Sequence, residues 1–565
     1  MSTRQNMMIL LILFTAIHAQ QKATLVLINS KIVTMNSKQE SAQALAIFQD
    51  KIIAIGSDEE IKSYIDKETQ VIDLKGKLVV PGFIECHAHL LNIGRARQHL
   101  NLARARNWDE VVKIVKNAVA KSQPGQWIRG RGWHQEKWDS IPSPNKNGFP
   151  VHDSLSAISP NNPVYLRHAS GHAAIVNAKA MKLTNINRRT PNPYGGEIVR
   201  DALGHPTGLL RETAEFVIHR LYTYSQLRLS KEQNDKKMLQ QIELGIEECI
   251  SKGITSFQDA GVSLDYIDTL KQLANENKLK LRMWLMIGAS NKTLDKILGK
   301  YRTVGWGNNF VTMRAIKSNI DGALGSHGAW LLESYTDKAQ HSGLNTTPAF
   351  YLKETAKIAA KYNVQLCIHA IGDRANREVL NIFEETFKKH PKKKDWRWRI
   401  EHAQHLHPQD IPRFAQLGVI ASIQGVHCTS DGSWVPTRLG QKRSEEGAYV
   451  WRKLIDSGAV LCNGTDAPVE DVSPIANFYS SISRKLKNGK TFFPKQCMTR
   501  KEALATYTIN AAYAAFEEKI KGSLEVGKLA DIAILSQDIL TIPQDDVPAT
   551  KVLYTIVGGK IVYKR

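Results

Sequence analysis

Between residues 253 and 463, short apolar runs alternate with long helix-period stretches, and this alternation restricts the fold more than any other feature of the 565-residue chain. Gly253-Ile254-Thr255-Ser256-Phe257 precedes a helical pattern near Tyr266 to Asn277. Leu281 to Ile287 precedes one near Leu294 to Tyr301, and Val364 to Ile368 precedes one near Arg374 to Lys388. Val419 to Ile423 and Val460 to Asn463 are further short strands. Strands and helices alternating on this scale predict an α/β protein with a parallel sheet closed as a (β/α)8 TIM barrel.

The two ends read differently. Ala23 to Met35, Ala44 to Ile55 and Val71 to Val80 are strand-like, the second broken by a hairpin turn at Gln49-Asp50-Lys51. Leu529 to Leu535 and Lys551 to Tyr563 are also strand-like, the latter folding back at Gly558-Gly559. The expectation is one small β domain made from both termini: residues 20–80 and 516–565, around a barrel over 81–515. From Trp127 to Arg211 the alternation fails in a stretch rich in Gly, Pro, Asn and Trp, which reads as an insertion in the barrel.

A hydrophobic fraction of 42% belongs to a globular chain and excludes a disordered one. Arg4, the apolar run Met7 to Ile17 and the small residue Ala19 have the order of a signal peptide over residues 1–19, so a secreted or secretory-pathway protein is expected. That run is short for a membrane span, and an uncleaved anchor is the alternative. No later stretch is long and apolar enough to span, so no stable membrane insertion is expected once the leader is removed. Asn291-Lys292-Thr293 and Asn345-Thr346-Thr347 are then glycosylation sequons. The cysteines Cys86, Cys249, Cys367, Cys428, Cys462 and Cys497 are scattered and their spacing predicts no disulfide, although a secreted chain leaves one pair open. The net charge is +22, and its densest run, Lys388 to Lys394, reads as a helix end and a solvated loop. It lacks interleaved aromatics, so no nucleic acid is expected as a partner. Attraction to anionic surfaces or substrates stays open.

The chemistry is concentrated where apolar strands give way to loops. His87-Ala88-His89 follows Leu78 to Ile84, and residues two apart on a strand share a face, so both imidazoles can reach one metal. Alone, such a pair arises by chance. The same position recurs in Ile368-His369-Ala370, in Ile400-Glu401-His402 and in Asn463-Gly464-Thr465-Asp466, at the ends where barrel enzymes place catalysis. Lys317 ends Met313-Arg314-Ala315-Ile316-Lys317. A lysine pointing into a barrel is costly as a cation, and burial makes a neutral amine available. Carbon dioxide turns that amine into a carbamate able to bridge two cations. The other reading is a surface lysine.

Pro81-Gly82-Phe83-Ile84-Glu85-Cys86-His87-Ala88-His89 resembles the opening motif of the amidohydrolase superfamily. Gly130-Arg131-Gly132-Trp133, Gly195-Gly196-Glu197-Ile198, Pro206-Thr207-Gly208-Leu209-Leu210, Asp321-Gly322-Ala323-Leu324-Gly325-Ser326, His369-Ala370-Ile371-Gly372-Asp373-Arg374, Glu401-His402-Ala403-Gln404 and Asp466-Ala467-Pro468-Val469-Glu470 resemble its amidohydrolase-3 (YtcJ-like) subgroup. The resemblance covers roughly residues 23 to 565; Glu85 stands where many members have aspartate. It implies a barrel with an attached β-sandwich. It also implies that His87, His89 and Asp466 bind one metal, that His369 and His402 bind a second, and that carboxylated Lys317 bridges them. Zinc suits the imidazole-rich set, with one or two ions and with manganese or iron as alternatives. The metal acidifies water and polarises a carbonyl, and Asp466 takes the water proton and delivers it to the leaving nitrogen. His172, in Ser170-Gly171-His172, matches a subgroup motif facing the pocket, and Trp133 lines it; a packing role stands beside this one for both.

The expected activity is hydrolysis of a non-peptide carbon–nitrogen bond in a small molecule: an amide, N-formyl or cyclic amide. Hydrolysis of an ester or phosphoester on the same site, or a catalytically inactive binding protein, are the alternatives. All six ligand positions carry competent residues, which speaks against the inactive reading. A homodimer is the expectation for a large barrel.

Overall fold

The computed structural model describes residues 21–565 except 103, 136–137, 169–172, 194–195, 228–229 and 326, so the leader and His172 lie outside the described residues. Its central sheet has eight parallel strands in chain order: β1 (Phe83–Ala88), β2 (Ile254–Val262), β3 (Arg282–Ile287), β4 (Val311–Asn319), β5 (Gln365–Ala370), β6 (Arg399–His402), β7 (Ile420–Ile423) and β8 (Leu461–Asn463). Each pairs with the next in parallel register. Helices such as Leu264–Asn275, Asn291–Tyr301 and Asp373–Lys389 fill the connections, each burying an apolar stripe against the sheet.

The seam between β8 and β1 is closed differently. β8 is only three residues long. Beyond it the chain continues alongside β1: the Asp466 N–H donates to His87 O at 2.7 Å and the His89 N–H to Ala467 O at 2.9 Å. Further down, the Ile84 N–H is taken by Tyr507 O. Gly464 makes the close approach possible, because a Cβ there would lie 2.4 Å from Glu85 Oε1 and 2.6 Å from the His87 nitrogen. The result is a nearly closed (β/α)8 barrel.

The apolar run Leu78 to Ile84, which reads as one strand in the sequence, is two. Leu78–Pro81 pairs with Lys31–Val33 and, antiparallel, with Ile532–Leu535, and only Phe83–Ala88 enters the barrel. The break falls at Gly82, where a Cβ would sit 2.2 Å from the Thr255 side chain. Leu78–Pro81 belongs to a six-stranded sheet that includes Ile532–Leu535, Val552–Val557 and Lys560–Lys564. A four-stranded sheet contains Leu25–Ile28, Ala44–Phe48, Lys51–Gly56 and Gln70–Asp73. Leu25, Leu27, Leu45 and Ile47 of the second sheet share one core with Val79, Ile532, Ile534 and Ile556 of the first. A β-rich unit drawn from both ends of the chain therefore packs beside the barrel.

Between β1 and β2 a mixed six-stranded sheet runs from Leu100–Asn101 to Pro206–Glu212 around its own core of Trp108, Trp133, Leu166 and Ile175. The lysines that begin the basic run pair along their own helix, Lys388 with Glu384 and Lys389 with Glu385. All six cysteines are free. Among the described residues no helix is long and apolar enough to cross a membrane.

Candidate metal centre

The closed seam brings three donors together. One ligand atom from each of His87, His89 and Asp466 lies within 4.8 Å of the others. His89 Nε2 is 3.2 Å and His87 Nε2 3.8 Å from Asp466 Oδ1. Asp466 has φ +55°, a left-handed backbone that non-glycine residues adopt at a cost and that recurs at functional sites. Around them stand the other rings: His402 is 4.9 Å from His87 and 4.5 Å from His369, centroid to centroid. His402 also has positive φ, +76°. Arg399 and Glu401, two residues apart, are both turned into the barrel, and strict alternation would send His402 outward. The backbone turn brings its ring back inside.

Three of the imidazoles have one nitrogen pinned. His87 Nδ1 meets Glu401 Oε2 at 2.5 Å, His89 Nδ1 meets Ala260 O at 2.9 Å and His402 Nδ1 meets Gln424 Oε1 at 2.7 Å. Acceptors on Nδ1 place the proton there and leave Nε2 as a donor to a cation, the usual arrangement of metal-ligating histidine. His369 Nε2 is buried without a hydrogen-bond partner, 3.4 Å from Asp321 Oδ1. Imidazole nitrogens and a carboxylate oxygen converging in this way fit a divalent cation such as zinc.

The charges agree with the geometry. Burial opposes ionisation of Asp466, but the His89 contact and the neighbouring His87 and His402 outweigh it and hold the carboxyl well below the usual range. Burial pushes His369 down to about 3, with Lys317 and His87 adding to the effect, so its ring is neutral at pH 7. Lys317, on β4, is lowered by burial and pulled back in part by Glu401 and Asp466; its amine donates to Asn319 Oδ1 at 3.2 Å. The structure thus groups His87, His89 and Asp466 around one point, with the His402 and His369 rings beside them.

The candidate pocket residues fare differently. His172 lies outside the described residues. Trp133 is fully buried in the core of the insertion, its indole N–H donating to Leu166 O at 2.9 Å. It packs against Trp138 and His168, so its surroundings favour the packing role.

Several residues behind the ligands have contacts that the sequence reading did not assign. Glu85 is fully buried and accepts the N–H groups of Thr465 at 2.8 Å and His87 at 3.1 Å, binding the two sides of the seam; burial raises its carboxyl to about 8. Arg399 and Glu401 form an ion pair at 2.8 Å with no exposure. Their signal was their position: charged residues inside the apolar run that leads to His402.

His405 gives an acid-stability prediction. It is buried with both ring nitrogens unpartnered, and burial lowers it to about 3 from the ordinary 6.5. A depressed histidine contributes stability that is complete above pH 6.5 and lost as the pH falls toward 3, about 2 kcal/mol of it between pH 7 and 5. Urea denaturation at the two pH values should show a smaller loss for His405→Leu than for the parent chain; equal losses would contradict this assignment.

Comparison with known proteins gives the family. The chain matches the amidohydrolase family profile over residues 70–563. It is 33% identical to "Protein LONG AFTER FAR-RED 3" of Arabidopsis thaliana, over 96% of this chain and 92% of that one. It is 26% identical to "N-substituted formamide deformylase" of Arthrobacter pascens, over 96% and 99%. Among solved structures, an uncharacterized metal-dependent hydrolase from Pyrococcus furiosus superposes with a TM-score of 0.72 at 27% identity, covering 92% of this chain and all of that one. With a barrel of this topology, His87, His89 and Asp466 converging at its mouth and the family profile matched over residues 70–563, the chain belongs to the amidohydrolase family and is a hydrolase.

Proposed function

We propose that the protein hydrolyses a non-peptide carbon–nitrogen bond of a small molecule, an amide, N-formyl or cyclic amide, with zinc in the His87–His89–Asp466 site. The observation that carries this reading is the convergence of those three donors within 4.8 Å at the end of the barrel where such enzymes act. The formamide deformylase relative supports the N-formyl class in particular.

A divalent cation held there supplies Lewis acidity, polarising a carbonyl and acidifying water. The protein supplies the rest. Glu401, Ala260 O and Gln424 hold His87, His89 and His402 in one tautomer. Asp466, ionised at neutral pH, accepts the proton of the attacking water and returns it to the departing nitrogen, which leaves as a neutral amine. In this reading His369 and His402 would hold a second cation, and Lys317, as its carbamate, would supply a further anionic ligand. Secretion belongs to the same proposal. It rests on the leader pattern and on Asn345, which is exposed; Asn291 has its amide tied to Tyr351 O and Thr355.

The test is a hydrolysis screen of the zinc-loaded chain over amides, N-formyl amines, cyclic amides, esters and phosphoesters. Turnover of one carbon–nitrogen class above a chelated control is expected. Turnover confined to esters or phosphoesters would contradict the proposal.

A further inference from the structure

A fully buried arginine lies directly beneath the site. Arg399 forms an ion pair with Glu401, Nε lying 2.8 Å from Oε1, and its Nη2 donates to Glu401 Oε2 at 3.2 Å. Nη2 also donates to Cys86 O at 2.7 Å and to Ser422 Oγ at 2.8 Å, and Nη1 donates to Gln258 Oε1. The guanidinium therefore ties β6 to β1, β2 and β7 inside the barrel. Apolar side chains of the same volume would fill this space without the desolvation cost of two charges, and such replacements are often neutral or stabilising. Packing alone does not explain the pair.

The other oxygen of Glu401 does. Oε2 meets His87 Nδ1 at 2.5 Å, so an unbroken line of polar contacts runs from Arg399 through Glu401 to a ring whose far nitrogen faces Asp466. Resting on the metal-site reading above, we infer that Arg399 and Glu401 are positioning residues for the metal: Glu401 fixes His87 as the Nδ1–H tautomer and strengthens Nε2 as a donor, and Arg399 locks the Glu401 carboxylate in place. Neither side chain touches substrate in this scheme. Both act through His87.

The test uses the full chain and zinc alone, with affinity read by chelator competition. Glu401→Gln leaves Arg399 as an unpaired buried cation and risks unfolding, so the informative variant is Arg399→Met/Glu401→Gln, which removes both charges. Loss of such an outer partner costs about 10- to 100-fold in metal affinity, and that loss is expected together with an altered visible spectrum of the cobalt-loaded protein and an unchanged near-ultraviolet circular dichroism. Unchanged zinc affinity and cobalt spectrum in the folded double variant would overturn the inference. Arg399→Lys keeps a cation beside Glu401 and is expected to recover most of the affinity. If it binds as weakly as the double variant, the loss comes from strand packing and the positioning role fails. Imidazole nitrogen NMR of the parent chain needs no variant: an Nδ1–H tautomer at His87 is expected, and an Nε2–H tautomer overturns the inference. A parent chain that binds no zinc would instead refute the metal reading itself.

Discussion

Asp466→Asn is expected to lower kcat by roughly two to four orders of magnitude while the purified chain keeps its metal. Asparagine retains an oxygen for His89 and for a cation, and it is nearly the size of aspartate. What it loses is the charge that lets it accept a proton. The carboxylate it replaces is held ionised by His89, His87 and His402 against the effect of burial. It also sits in the left-handed backbone region at the barrel seam, where its N–H donates to His87 O. The comparison needs kcat and metal content from the same preparations. Undiminished turnover would remove Asp466 from its assigned role, and parallel loss of metal and turnover would make it a ligand alone.

The second large effect concerns stability. Arg282 opens β3 at the lower end of the barrel, and Asp531 immediately precedes the strand Ile532–Leu535 of the β-rich unit. Their bidentate contact, at 2.7 and 3.1 Å, is buried on both sides. Asp531 Oδ1 also accepts the Gly558 N–H at 2.8 Å, and the Arg282 guanidinium lies 4.7 Å from the Phe310 ring centroid. Removing one partner leaves a buried charge unpaired, so Asp531→Ala is expected to cost about 3–5 kcal/mol. Urea denaturation measures it. A loss below about 1 kcal/mol, the size of an exposed pair, would show that the contact does not clamp the two units together.

The barrel was legible because its strands are short apolar runs spaced by amphipathic helices. The candidate ligands stand out in the sequence because each ends such a run: His87 on β1, His89 just after it, His369 on β5, His402 on β6, Asp466 after β8. The hairpin turns at Gln49-Asp50 and Gly558-Gly559 fell where turn chemistry put them. The rest depended on facts that local pattern does not carry. Leu78 to Ile84 is one apolar run, and only the contact of Gly82 with Thr255, far away in sequence, divides it between two sheets. Arg399 sits in Trp396-Arg397-Trp398-Arg399, where its charge suggests a surface strand; its burial follows from the register that sets Cys367 beside it and from Glu401 two residues on. Gln424 and Ala260 O become partners of His402 and His89 only when the barrel closes. Trp133 carries both a pocket and a packing reading in the sequence because aromatic side chains suit pockets and cores equally.

The most direct measurement is the metal content of the purified chain, followed by hydrolysis after zinc or manganese is added. The site geometry predicts at least one tightly held divalent ion per chain, its loss in the His87→Ala/His89→Ala variant, and turnover of a carbon–nitrogen substrate that depends on it. A folded chain with no bound metal and no hydrolysis after metal addition would contradict the account.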